Sequence, residues 1–186
     1  MKQPSLATKR LILRPFEISD APRVQRLAGN KAIADTTLNI PHPYDDGMAE
    51  QWIGTHEEKY QKGELANFAV ILGETNQLIG AIGLVINKRF NRAELGYWIA
   101  RNYWNKGYAT EAAMRVLEYG FAERNLHKIH ASHLRRNPSS GRIMEKIGMT
   151  KEGELKEHVI KSGKYEDLII YAITQNEWRE LIKQHS

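Results

Sequence analysis

The chain has 186 residues, a formal net charge of +5, 41% hydrophobic residues and no cysteine. That length suits a single domain over residues 1–186, and the missing cysteine excludes disulfides, thiolate metal sites and a cysteine acyl-enzyme. Residues 1–6 hold no apolar core of a signal peptide, and the longest apolar run, residues 79–86, is far too short to span a bilayer; a cytoplasmic location without a membrane partner is expected. The basic balance favours polyanions, but the Lys and Arg residues are dispersed, so direct nucleic-acid binding is not expected.

Residues 8–16 read as a first strand. Ser19-Asp20-Ala21-Pro22 opens a helix, with capping groups first and proline in the first turn, and Gly29-Asn30 closes it. A proline-bearing loop, residues 41–46, leads into a second helix that runs to about Lys62 and stops at Gly63. Residues 70–72 and 78–86 form a hairpin through the polar turn 74–77, and residues 93–100 supply the next strand. After Gly107 the apolar residues Ala109, Ala112, Ala113, Val116, Leu117 and Phe121 recur at helical spacing, and Asn125 suits a left-handed cap. Residues 128–134 then return as a strand, giving a βαβ unit with parallel strands. Asn137-Pro138 starts a short helix closed by Gly148. Residues 150–161 and 165–173 form a last hairpin, and Thr174-Gln175-Asn176-Glu177 is a capping box for a terminal helix. The expected architecture is α/β (α+β), a mixed and largely antiparallel sheet of about seven strands with helices on both faces and a central parallel βαβ unit.

The most telling stretch is the loop before the patterned helix, Asn105-Lys106-Gly107-Tyr108-Ala109-Thr110. A strand, a tight glycine loop and a helix N-terminus together present unpaired N–H groups at the positive end of a dipole, a receptor for phosphate or pyrophosphate. Glycine lets the backbone come close to phosphate oxygens where a side chain would block it.

These residues resemble the GNAT superfamily of acyl-CoA N-acyltransferases, and within it the RimJ/RimL-like branch. The similarity is carried by residues 8–14, by Glu94-Leu95-Gly96-Tyr97-Trp98-Ile99 joined to residues 104–112, and by residues 137–149. Gly107 and Ala109 match the superfamily's phosphate loop, while Trp104 holds the position where the broad superfamily has Gln or Arg, as is usual in this branch. The resemblance implies an acetyl-CoA-dependent N-acetyltransferase whose co-substrate lies against Trp98, Ile99, Ala100, Asn105, Lys106, Gly107, Tyr108, Ala109, Thr110, Asn137 and Ser140. It implies no metal, and an amine acceptor with a ribosomal protein N-terminus as the leading candidate. Monomer and homodimer both remain open.

Individual residues carry competing readings. Asn137 with Pro138 is explained as an ordinary N-cap pair, whereas the resemblance implies contact with the pantetheine arm. Ser140 is unremarkable in a first helical turn, and the resemblance places it near the thioester sulfur, where it would stabilise the departing thiolate. Glu94 is a solvated strand carboxylate or the base for the incoming amine; strand alternation puts it on one face with Gly96, Trp98 and Ala100. His127, His130 and His133 do not make a metal site, because on a strand His130 points opposite to the other two. Trp98 and Trp104 read as packing residues. The acceptor is expected to be selected by residues 41–48 and 162–165. Acetylation of an N-terminal α-amine leads; a small-molecule amine such as a polyamine is second, for which Asp45, Asp46 and Glu50 would form an acidic lip. A silent acyl-CoA sensor or a basic RNA-binding module is the reading from another class.

Overall fold

The computed structural model describes residues 2–184. Eight strands form one sheet in the order β1-β2-β3-β4-β5-β6-β8-β7: β1 is Leu6–Ala7, β2 Leu11–Arg14, β3 Leu65–Leu72, β4 Gln77–Asn87, β5 Arg92–Ile99, β6 Lys128–Leu134, β7 Thr150–Lys161 and β8 Lys164–Thr174. Every pairing is antiparallel except β5 with β6. The strand beyond the expected set is β1. Residues 8–10, read as extended, instead turn: the Thr8 hydroxyl accepts from the Leu11 N–H at 2.9 Å and competes with the ladder.

Helices cover both faces. Ala21, Val24, Ala49 and Ile53 pack with Ala69, Ile71 and Leu78 on one side; they come from α1 (Ala21–Ala28) and α3 (Met48–Gly54), which flank α2 (Lys31–Thr36) in sequence. On the other side the larger core gathers Ala112, Ala113, Val116 and Leu117 of α5 (Tyr108–Glu118), Met144 of α6 (Pro138–Lys146) and Trp178 of α7 (Gln175–Gln184). The α5 stripe predicted from spacing is the buried face, and the helix continues through a wider turn, Tyr119–Glu123. Glu177 accepts from the Thr174 N–H at 2.7 Å, completing the cap that opens α7.

Two departures lie between β2 and β3. The sequence predicts that Gly29-Asn30 ends a helix, but the Asn30 side chain accepts from the Ala32 N–H and caps α2. The expected single helix to Lys62 breaks at Thr55, whose hydroxyl donates to the Trp52 carbonyl at 3.0 Å; α4 (His56–Gln61) starts afresh. Among the described residues no helix is long and apolar enough to cross a membrane.

Candidate active site

The parallel pair is short. β5 and β6 are in register only at Arg92↔Lys128, Ala93↔Ile129 and Glu94↔His130, then diverge. The β4 ladder decides what faces the gap. Ala100 donates its N–H to the Ile79 carbonyl at 2.8 Å, so the residues of β5 at alternate positions, Tyr97 and Ile99, point their N–H and C=O groups the other way, toward β6. Beyond Glu94 those N–H groups border an open wedge, a ready place for a developing oxyanion.

Two clefts meet at this wedge. One, of about 460 Å³, is lined by Tyr97, Trp98 and Ile99, by the loop residues Asn105, Gly107, Tyr108, Ala109 and Thr110, and by Asn137 and Ser140. The other, of about 450 Å³, opens on the α1–α3 side and is lined by Glu94, Gly96, Trp98, Ser132 and residues 36–41. Tyr97, Trp98, Ser140, Thr36 and Thr37 belong to both.

The first cleft ends at a nest. Asn105 (φ 60) and Gly107 (φ 80) are both left-handed, and Glu111 is the first residue whose N–H bonds back into the helix, to the Gly107 carbonyl at 3.0 Å. The N–H groups of Tyr108, Ala109 and Thr110 are therefore left to face outward at the positive end of α5. A Cβ on Gly107 would sit 3.3 Å from an Arg10 guanidinium nitrogen and would force a side chain into positive φ.

Thr8 and Arg10 brace that nest from the β1–β2 turn, a role the sequence did not reveal. Arg10 donates to both Glu111 oxygens, through its N–H at 2.8 Å and Nε at 2.7 Å, and through Nη1 to the Lys106 carbonyl at 3.0 Å. Thr8 donates to the same carboxylate at 2.6 Å. Burial pushes the Glu111 pKa up, but the bonds from Thr8 and Arg10 outweigh it and hold the carboxyl below its usual value. Glu111 thus stays charged and locally neutralised, so the nest keeps its attraction for anions.

Not every predicted ligand-binding residue reaches the wall. Ala100 is buried with its N–H committed to Ile79. Lys106 turns its ammonium to 5.5 Å from the Tyr103 ring. Trp104 packs as expected and donates from Nε1 to the Ile99 carbonyl at 2.5 Å. Asn137 precedes α6, but its side chain makes no cap bond; Nδ2 donates to the Thr36 carbonyl at 3.0 Å instead.

Of the two residues proposed for catalysis, one lies in the second cleft alone and the other at the junction. Glu94 is exposed in the second cleft, where the Ser132 hydroxyl donates to it at 3.3 Å. Ser140 sits at the junction, its hydroxyl 2.8 Å from the Tyr97 hydroxyl, which also lies 3.2 Å from the Ser140 carbonyl. Burial pushes the Tyr97 pKa up to about 12, so it stays a neutral donor at physiological pH. Sequence reasoning missed Tyr97, because alternation only sets it on the face opposite Glu94 and gives it no partner. His133 is buried below α6, its Nε2 only 2.8 Å from where a Gly141 Cβ would stand; glycine there lets helix and strand close up. Asp45, Asp46 and Glu50 do not line the second cleft. Among the described residues no group of His, Cys, Asp and Glu is arranged to hold a metal.

Residues 10–150 match the family described as Acetyltransferase (GNAT) domain. The Bacillus subtilis (strain 168) protein named Uncharacterized N-acetyltransferase YnaD is 38% identical over 176 residues, covering 93% of this chain and 98% of its own. Ribosomal protein uS5-alanine N-acetyltransferase of Escherichia coli (strain K12) is 26% identical, over 93% of this chain and 92% of its own. The crystal structure of spermidine N-acetyltransferase from Vibrio cholerae in complex with CoA and spermine superposes with a TM-score of 0.80 at 28% identity, over 92% of this chain and 99% of that one. With the splayed strands, the loop nest and these similarities together, the chain belongs to the GNAT acetyltransferase family and is an acetyl-CoA-dependent N-acetyltransferase.

Proposed function

We propose that this enzyme acetylates a protein N-terminal α-amine, by direct attack of the amine on the thioester of acetyl-CoA. The observation that carries the reading is the charge of the acceptor cleft: its wall holds one carboxylate, Glu94, among apolar and neutral polar residues. A polyamine carries several ammonium groups and needs several acidic partners to leave water. A peptide N-terminus presents one.

The acid–base demand agrees. An α-amine has a pKa near 7.7–8.0 and is roughly a tenth neutral at pH 7. A lysine-like amine near 10.4 must first lose its proton, at about 4.6 kcal/mol. One exposed carboxylate suits the first better.

In this reading the N–H groups of residues 108–110 take the pyrophosphate, and Asn137 lies along the pantetheine arm. The N–H groups of Tyr97 and Ile99 accept the charge that develops on the thioester oxygen. Glu94, directly or through water, removes the proton of the attacking amine. Ser140, held by Tyr97, donates a hydrogen bond to the departing sulfur. A serine hydroxyl is a weak acid, so it stabilises the thiolate rather than protonating it. The E. coli relative named for uS5 alanine supports a protein acceptor and the V. cholerae one named for spermidine supports a small amine, at similar identity; the single carboxylate of the cleft supports the first.

The test is a panel of acceptors with acetyl-CoA: peptides with free N-termini, the same peptides N-blocked but carrying lysine, and spermidine. Free thiol and the mass of the product are read. A kcat/KM at least about tenfold higher for free N-termini is expected. Faster turnover of spermidine would overturn the reading.

A further inference from the structure

Residues 35–40 leave the end of α2 and cross the junction of the two clefts as a strap. Two threonines stop the helix: the Thr36 hydroxyl donates to the Ala32 carbonyl and the Thr37 hydroxyl to that of Ile33, at 2.9 and 2.8 Å. Beyond Thr37 the strap has no helix or strand bonds of its own. Its carbonyls are held from across the cleft instead. Arg136 donates to Asp35 at 2.5 Å, Asn137 to Thr36 at 3.0 Å, and the Lys161 ammonium to both Leu38 at 3.1 Å and Ile40 at 2.7 Å. Arg136 is fixed in turn by Glu166 at 2.7 Å.

Lys161 differs from the other two. It makes no ion pair among the described residues, and it lines neither cleft. Burial pushes its pKa down, and its ammonium donates to two main-chain carbonyls at the edge of the cleft. The strap residues it grips, Leu38 and Ile40, belong to the acceptor wall and not to the donor wall. The donor nest at residues 105–110 is braced separately, by Thr8 and Arg10.

We propose that Lys161 is a positioning residue for the acceptor, a latch that holds the strap across the second cleft so that its wall exists when the amine arrives. Lys161 directly precedes residues 162–165 and Ile40 directly precedes residues 41–48, so the latch joins the chain at the edges of the two segments expected to select the acceptor. If breaking the latch leaves the strap in place in one molecule in ten, apparent acceptor affinity falls about tenfold. Donor affinity depends on it far less, because Thr36 and Thr37, the strap residues that also line the donor cleft, are held by their own bonds to α2 and by Asn137. The inference rests on the reading that the acceptor uses the Glu94 cleft, but not on which amine it is.

The test is Lys161→Met beside Lys161→Arg, with steady-state kinetics on the best acceptor of the panel. The Met variant should raise the acceptor KM about tenfold, with the acetyl-CoA KM within about twofold of wild type. Arginine, able to donate to two carbonyls, should restore most of it. Hydrogen exchange should quicken at residues 38–40 in the Met variant and stay unchanged at residues 105–111. Equal rises in both KM values, no rise in the acceptor KM, or an Arg variant as impaired as Met would overturn the latch. If Met does not fold, the Arg variant decides: near-wild-type acceptor KM with slow strap exchange supports the latch, and a raised acceptor KM overturns it. Spermidine as best acceptor would sink the α-amine proposal while leaving this KM comparison intact.

Discussion

The clefts proposed for donor and acceptor share Tyr97, Trp98, Ser140, Thr36 and Thr37 yet are assembled in opposite ways. The donor cleft comes largely from contiguous chain: the end of β5, the loop at residues 105–110 and the first turns of α5 and α6. It presents main-chain N–H groups whose direction follows from backbone geometry alone. The acceptor cleft draws on α1, α3, β4, β5, β6, β8 and the strap, and its strap is tied at its carbonyls by Lys161, more than a hundred residues away. Main-chain recognition suits a co-substrate that never changes. Walls tied by side chains can be re-cut one residue at a time, which suits an acceptor that differs between relatives.

The difference is most sharply exposed by Gly107→Val. A β-branched residue at φ 80 is strained and crowds Arg10, so the nest should fail as an anion site. Saturation at a hundred times Kd stabilises the wild type by about 2.7 kcal/mol. The variant's thermal shift with acetyl-CoA should vanish, and an unchanged shift would remove the loop from the donor site.

The acceptor side should respond to acid instead. His56 is buried beside Phe16 and Trp52, and Asn67 donates to its Nε2 at 3.2 Å. Burial, with help from Lys59, pushes its pKa from 6.5 down to about 4. The unfolded chain therefore binds the proton first as pH falls. Stability is complete above pH 6.5 and declines toward pH 4, by on the order of 3 kcal/mol. Urea unfolding at several pH values measures the slope, and His56→Gln should flatten it between those limits.

Glu94→Gln separates chemistry from binding. Turnover should fall about a hundredfold for lysine-like amines and about tenfold for α-amines, with the acetyl-CoA KM unchanged. A slight and equal loss for all acceptors would show that the carboxylate is not the base. The smallest change is expected from Tyr97→Phe, which removes one hydrogen bond to Ser140 at the shared junction. Turnover should drop about fivefold with both KM values unmoved.

Legibility followed the same division. Gly107, the α5 stripe and the Asn137-Pro138 start are local signals, and they point to the cleft proposed for the donor. The Arg10–Glu111 brace joins residues 101 apart and leaves no spacing to find. Tyr97 carried no signal beyond that of a core aromatic, since its bond to Ser140 spans 43 residues. α2 was hidden because Gly29-Asn30 is a good stop, while Asn30 is equally a good start. The strap was invisible for a plainer reason: its partners grip carbonyl oxygens, which every residue has.

A crystal structure with coenzyme A bound tests the division of the two clefts most directly. The pyrophosphate should lie within hydrogen-bond reach of the N–H groups of residues 108–110, with the thiol directed to Tyr97 and Ser140 and the Glu94 cleft free. A pyrophosphate held elsewhere, or a pantetheine arm threading past Glu94, would contradict it.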